Sequence, residues 1–162
     1  DLPSFFNIGD SSRLDLSGNL SWQFRNATVP ITGLPTIDCA GFYGGACSSD
    51  SARISPDFRA FFGVDYKSGP VSIRNQFRMI GNLALLPGAP PSQSGTLATE
   101  TYWDLSARVE ISKAIAIFGG INNVLDNQPP VMGFAAGGDS NTNPQLYDVI
   151  GRQYFIGIGT RF

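Results

Sequence analysis

Residues 14–25 read Leu14-Asp15-Leu16-Ser17-Gly18-Asn19-Leu20-Ser21-Trp22-Gln23-Phe24-Arg25, and along these twelve positions apolar and polar residues alternate almost without error. Successive side chains of an extended strand point to opposite faces, so a period of two sets Leu14, Leu16, Gly18, Leu20, Trp22 and Phe24 against Asp15, Ser17, Asn19, Ser21, Gln23 and Arg25. The pattern recurs. Phe58, Ala60, Phe62, Val64 and Tyr66 oppose Arg59, Gly63, Asp65 and Lys67, with Phe61 as the exception. Val71, Ile73, Phe77 and Met79 oppose Ser72, Arg74, Gln76 and Arg78, and Asn75 breaks that apolar side. Trp103, Leu105, Ala107, Val109 and Ile111 alternate with Asp104, Ser106, Arg108 and Glu110, while Tyr154, Ile156, Ile158, Thr160 and Phe162 share the last face. The stretch from Ile115 to Asn123 is apolar on both sides, so its pattern assigns neither face. Six strands are expected, with a partial one around Phe5 to Ile8 and no segment of helical period.

The connections alternate as regularly as the strands. Gly9-Asp10-Ser11-Ser12, Lys67-Ser68-Gly69 and Ser112-Lys113 are short, and between them fall three long links, roughly 26–56, 82–99 and 124–148, rich in Gly, Pro, Ser and Asn. Nothing in a soluble sandwich makes its two ends differ in this way, whereas outer-membrane barrels pair short periplasmic turns with long extracellular loops. If Phe162 ends in the periplasm, every long link falls outside and every short one inside. Trp22, Phe24 and Trp103 then lie at outer strand ends, with Tyr66 and Phe162 at inner ends, as two aromatic girdles would.

Composition agrees with a wall that is half greasy and half wet. The 162 residues are 42% hydrophobic, 12% aromatic and 15% charged, with 19 Gly, 11 Pro and no His, and a mean hydropathy of -0.01. No run of roughly 20 apolar residues exists to form a spanning helix. A net charge of -2, with Lys67 and Lys113 the sole lysines, speaks against a nucleic-acid partner, which needs clustered cations. Cys39 and Cys47 lie close together in a Gly-rich stretch; a small disulfide loop in an oxidising compartment is the natural reading, a pair of free thiols the alternative. No second pair is present to build a zinc site, and no cofactor is expected. The first residues, Asp1-Leu2-Pro3-Ser4-Phe5, lack the basic start and apolar core of a signal peptide.

The last third resembles the end of a TonB-dependent outer-membrane receptor barrel. Tyr102-Trp103-Asp104-Leu105-Ser106 resembles the aromatic-x-Asp-Leu-Ser strand of that family, and Ile121-Asn122-Asn123-Val124-Leu125-Asp126 its Val-Asn-Asn-Leu-Phe-Asp motif, followed by Gln128-Pro129-Pro130. Tyr147-Asp148, Gly151-Arg152-Gln153-Tyr154-Phe155 and terminal Phe162 complete the series, which covers residues 102–162. The loop with Cys39 and Cys47, followed by Pro56 and Arg59, also looks like the Cys-containing outer loop of some members. The resemblance implies a barrel of about 22 strands around an internal plug, taking up siderophores or saccharides with energy passed on by TonB. Residues 1–162 would then be the C-terminal part of such a transmembrane β-barrel, about six or seven strands, with the plug domain and its TonB contact absent. Six or seven strands are too few to close, so further strands from the same or another chain are expected to complete the sheet. An extra hairpin within 26–37, built on Val29, Ile31 and Ile37, would permit self-closure, but Pro30 and Pro35 argue against it.

No catalytic apparatus is expected. Without His there is no Ser-His-Asp or Cys-His device, and Asp104 and Glu110, six residues apart on one strand, would stand about 20 Å from each other. Arg59, Arg74, Arg78, Asp104, Arg108 and Glu110 all face the lumen on this parity. They form either an anion path or, as the mixed signs favour, a wall of ion pairs with Asp65 and plug carboxylates. Asp139, Asn141 and Asn143 are polar loop candidates for ligand contact. Tyr154, Ile156, Ile158 and Phe162 resemble the signal read by the outer-membrane assembly machinery, and equally any last lipid-facing strand. The expected role is therefore nutrient uptake from the bacterial outer membrane, against two alternatives: a structural or surface-binding barrel component of a larger assembly, and a secreted β-sandwich binding module.

Overall fold

The computed structural model describes residues 12–29, 31–48, 54–91, 94–136 and 141–161. The expected partial strand at Phe5 to Ile8, the turn at 9–11, Pro30, Asp139 and Phe162 lie outside these residues. The described chain is all-β, with strands β1 (Ser12–Trp22), β2 (Ala27–Thr28), β3 (Ile37–Asp38), β4 (Phe42–Tyr43), β5 (Phe58–Ser68), β6 (Val71–Ile80), β7 (Ala84–Leu85), β8 (Glu100–Glu110), β9 (Ile115–Asn122) and β10 (Gln153–Thr160). The helical pieces among the described residues are short 3-10 turns, Gly45–Ser48 and Gly133–Ala136.

The six long strands form one sheet in the order β1-β5-β6-β8-β9-β10, every pair antiparallel. These are the six strands expected from the sequence, five by alternation and β9 as an apolar run, with ends shifted by a few residues. β1 stops at Trp22, for instance, and leaves Phe24 beyond it, 86% exposed. Among the described residues the sheet is open: β1 pairs on one side only with β5, and β10 on one side only with β9.

Register carries the alternation across the sheet. One row runs Leu16, Val64, Asn75, Leu105, Ile121, Tyr154, and the row beside it Asp15, Asp65, Arg74, Ser106, Gly120, Phe155. The face of β9 that its own sequence left open is thereby assigned. Ile115, Ile117 and Ile121 stand in apolar rows, whereas Ala116, Phe118 and Asn122 stand in polar ones. Phe118 and Phe155 account for glycines on the polar face. A Cβ on Gly157 would collide with the Phe118 ring, and one on Gly120 would come 2.7 Å from the Phe155 ring, so each aromatic covers a neighbour without a side chain.

Neither face of the sheet buries a conventional core. Leu16 is 62% exposed, Leu20 67% and Ile156 84%. The buried apolar cluster instead comprises Tyr43, Ile54, Ile80, Leu83, Leu97, Tyr102, Met132 and Tyr147. Most of these lie in the long links; Ile80 and Tyr102 come from the loop-side ends of β6 and β8, on the polar face. The links therefore fold into one cap. Parallel pairing of β4 with β7 joins the first link to the second, and Ser48 Oγ donates to the Ala135 carbonyl, joining the first to the third. Cys39 and Cys47 are disulfide-bonded and fully buried. A hairpin does form inside 26–38, where β2 pairs with β3, but it makes its own two-stranded sheet and adds nothing to the six.

The short turns need little. Gly69, at a φ of 53°, supplies the left-handed corner between β5 and β6. Between β8 and β9, Ser112 Oγ accepts from the amides of Ala114 and Ile115 at 3.2 and 3.1 Å.

Candidate functional site

Arg59, Arg74, Arg78, Asp104, Arg108 and Glu110 all occupy the polar face, because each stands in register with another member of it. They are not one cluster. Arg74 pairs with Asp65 across the β5–β6 ladder at 2.7 Å. Arg78 pairs with Asp104 at 3.2 Å, its guanidinium 5.2 Å from the centre of the Tyr102 ring. Arg59, Arg108 and Glu110 make no ion pair among the described residues. Asp104 is further engaged by the Asn123 amide, which donates to its Oδ1 at 2.8 Å, so it is not paired with Glu110 for acid–base work.

Hollows open on the polar side among the described residues. The first, about 490 Å³, lies where the end of β1 meets the loop cap and is lined by Ser21, Gln23, Asn26, Ser55, Arg59 and Gln145 among others. Gln23 accepts a hydrogen bond from the Ser55 hydroxyl, which fixes one wall. These six side chains are polar, Arg59 supplies the charge, and Ile54, Pro56 and Leu146 add an apolar part to the wall. Such a lining offers donors and acceptors that a neutral group rich in hydroxyls, or an anionic group, could use. The second hollow, about 440 Å³, lies towards the short-turn end and includes Asp15, Asp65, Lys67, Ser72, Arg74 and Arg108. No group of three metal-ligating side chains occurs among the described residues.

At the loop end of β8 and β9, the residues around Asn123 form a lock. Asn123 is fully buried at a φ of 53°. Its Nδ2 donates to the Asn127 carbonyl at 2.9 Å, and its Oδ1 accepts from the Asn127 amide at 3.0 Å. Asn127 Nδ2 in turn donates to the Thr101 carbonyl at 2.6 Å, and the Val124 amide donates to Trp103 at 2.7 Å. Asp126 then accepts the Arg152 amide at 3.0 Å, reaching the segment that leads into β10. The motif at 121–126 thus ties β8, β9 and β10 together at the loop end. Tyr147 is buried in the cap, and the Asp148 amide donates to the Tyr102 hydroxyl at 3.3 Å.

Tyr154, Ile156 and Ile158 stand exposed on the apolar face of β10. Asn141 and Asn143 hold loop structure: the Asn141 carbonyl accepts from Met132 at 2.6 Å, and Asn143 Oδ1 from the Gln145 amide at 2.9 Å. The hollow at Arg59 escaped the sequence reading because its walls come from three separated segments. Only the polar side chains on the odd positions of β1 hinted at it.

Fold and site together define an all-β chain with one apolar and one polar sheet face, capped at one end by loops that frame a polar hollow. Among solved structures it is similar to a variant of the ferric enterobactin receptor from Pseudomonas aeruginosa, at a TM-score of 0.59 and 15% identity. The likeness covers 96% of this chain and 21% of that one, so the chain spans about a fifth of the receptor's length. No family model matches the sequence, and no curated protein is significantly similar to it.

Proposed function

We propose that this chain is part of the transmembrane β-barrel of a TonB-dependent receptor in a bacterial outer membrane. Its polar face lines the lumen, and its loop cap faces outward. The observation that carries this reading is the fold likeness over 96% of the chain to a ferric enterobactin receptor, in a sheet whose apolar face is largely exposed and whose edge strands each have a neighbour on one side only among the described residues. Unpaired edges in hydrocarbon would leave backbone groups without partners, at several kcal/mol each. Further strands, from the same or another chain, close the barrel on this reading, and a plug inside it contacts TonB. The other partners are outer-membrane lipid and the barrel-assembly machinery, which would read the C-terminal strand. The hollow over Arg59 takes part in recognising a scarce nutrient, a siderophore or a saccharide. The role is uptake, not catalysis. A soluble sandwich is disfavoured by the exposure of Leu20 and Ile156.

Sidedness provides the test. Thr96 sits exposed in the second long link and Lys113 exposed in a short turn. A membrane-impermeant maleimide applied to intact cells is expected to label Thr96→Cys and to spare Lys113→Cys until the outer membrane is opened. Equal labelling of both in intact cells discards the proposal.

A further inference from the structure

Arg108 sends its guanidinium sideways across the sheet. It stands on the polar face of β8, level with Phe118 of β9. Yet a Cβ built on Gly159 of β10 would lie 3.6 Å from its Nη1 and 3.9 Å from its Nη2. Neighbouring strands run about 4.8 Å apart, so the side chain crosses β9 and ends over the edge strand. Two small residues make room for it. In the next row towards the short turn, Glu110 of β8 is followed by Ala116 of β9 and Gly159 of β10. Glu110 is near in sequence, but Arg108 makes no ion pair with it or with any other described residue. An exposed cation is thus delivered to the open edge of the sheet.

That edge calls for a strand, because β10 has a ladder partner on one side only among the described residues. It also gives an incoming strand little to fix its register, which is weakly specified where a strand is rich in glycine. Alternation forbids a slip by one residue, since that inverts the faces, but a slip by two preserves them. On its polar face β10 itself offers Gln153, Phe155, Gly157 and Gly159, none of them charged. The guanidinium over Gly159 supplies what these lack. Opposite charges attract across neighbouring strands and like charges repel, so a charge in one row distinguishes registers that the faces alone do not.

We propose that the strand completing the barrel against β10 carries an aspartate or glutamate on its polar face level with Gly159, and that its pairing with Arg108 selects the register of that seam. The half-paired edge specifies a strand, and the cation lying over it specifies a carboxylate. The proposal rests on the barrel reading.

The test is zero-length cross-linking in outer-membrane fractions of cells that make the protein. Arg108→Lys keeps the charge and supplies an amine, which a water-soluble carbodiimide joins to a touching carboxylate as an amide, the reagent taking up the water as a urea. Peptide mass mapping is expected to find the new amine joined to an Asp or Glu outside residues 1–162. A benzophenone amino acid in place of Thr160 should photolabel the same strand, which identifies it independently as the neighbour of β10. Arg74, whose Nε lies 2.7 Å from Asp65, provides the positive control as Arg74→Lys. Adding Gly159→Leu, whose side chain would occupy the guanidinium's place, is expected to weaken the link several-fold. With the control linked, the proposal is overturned by no link from Arg108→Lys, by a link to Glu110 or any other carboxylate within residues 1–162, or by a link to a segment the photolabel does not mark. Loss of the protein from the membranes in an alkaline wash defeats the barrel reading, whereas retention there without the expected link defeats the pairing alone.

Discussion

Asn123 shows how one residue type suits one place. A left-handed backbone is strained for most side chains but tolerated by Asn, and here the same residue also exchanges two side-chain hydrogen bonds with Asn127. Asn123→Gly would keep the backbone and lose the bonds; Asn123→Ala would also strain the backbone, and either leaves the half-buried Asn127 amide without its acceptor. The expected cost is about 1–3 kcal/mol for Asn123→Ala and less for Asn123→Gly, read from urea unfolding in detergent. Tyr147 is the opposite case. Its hydroxyl is buried with no hydrogen-bond partner among the described residues, and burial, reinforced by the charge of Glu100, pushes its pKa from an ordinary 10.0 up to about 12. Between those values the unfolded chain releases a proton that the folded chain retains, so stability is intact below pH 10 and falls as the pH rises towards 12. Tyr147→Phe should be neutral or stabilising at pH 7 and should flatten that alkaline loss. Unfolding midpoints at several pH values would measure both effects. Asp38 behaves as an exposed cap: amides of Asn26 and Ala40 donate to its carboxylate and hold its pKa below the ordinary value.

At the level of the strand, depth decides what a substitution does. Leu105 lies in the middle of β8 and Val109 one residue from its short-turn end, both on the apolar face. If that face meets lipid, Leu105→Arg is expected to cost about 2–4 kcal/mol and Val109→Arg about 0–1 kcal/mol. Folding into vesicles of graded urea content would resolve the two, and equal penalties would count against the membrane assignment. The strands themselves were legible because an alternating pattern permits one backbone conformation and one division into faces. β9 was not divisible this way. Ile115, Ala116, Ile117 and Phe118 are all apolar, and only pairing with β8 and β10 sorts them, with Phe118 lying over Gly157. The Asn75 and Phe61 exceptions have the same origin. Asn75 meets Trp103 from the neighbouring strand, and Phe61 stands between Asn19 and Arg78.

The whole chain behaves as a thin wall with a packed cap. The bond between Cys39 and Cys47 spans a sequence separation of eight, and closing so short a loop is worth roughly 2–3 kcal/mol in chain entropy. Because the bridge belongs to the cap and not to the sheet, a double Cys39→Ala and Cys47→Ala variant should loosen the cap alone. Hydrogen exchange is the suitable measure. The Leu86 amide, which donates to Tyr43 across the two joined links, should exchange faster, while amides in the β6–β8 ladder keep their protection. A uniform rise would show that sheet and cap unfold together.

The sequence by itself determined the six strands, the alternation of short and long links, and the two faces of every long strand except β9, because strand faces follow from neighbours two positions apart and link lengths from the spacing between strands. The disulfide was likewise readable from two cysteines in one short stretch. Tertiary structure alone decided the cap, whose buried residues range from Tyr43 to Tyr147, and the hollow over Arg59, whose walls run from Ser21 to Gln145. Such sites depend on segments brought together across the ends of the strands, and no local periodicity records which distant side chains will meet.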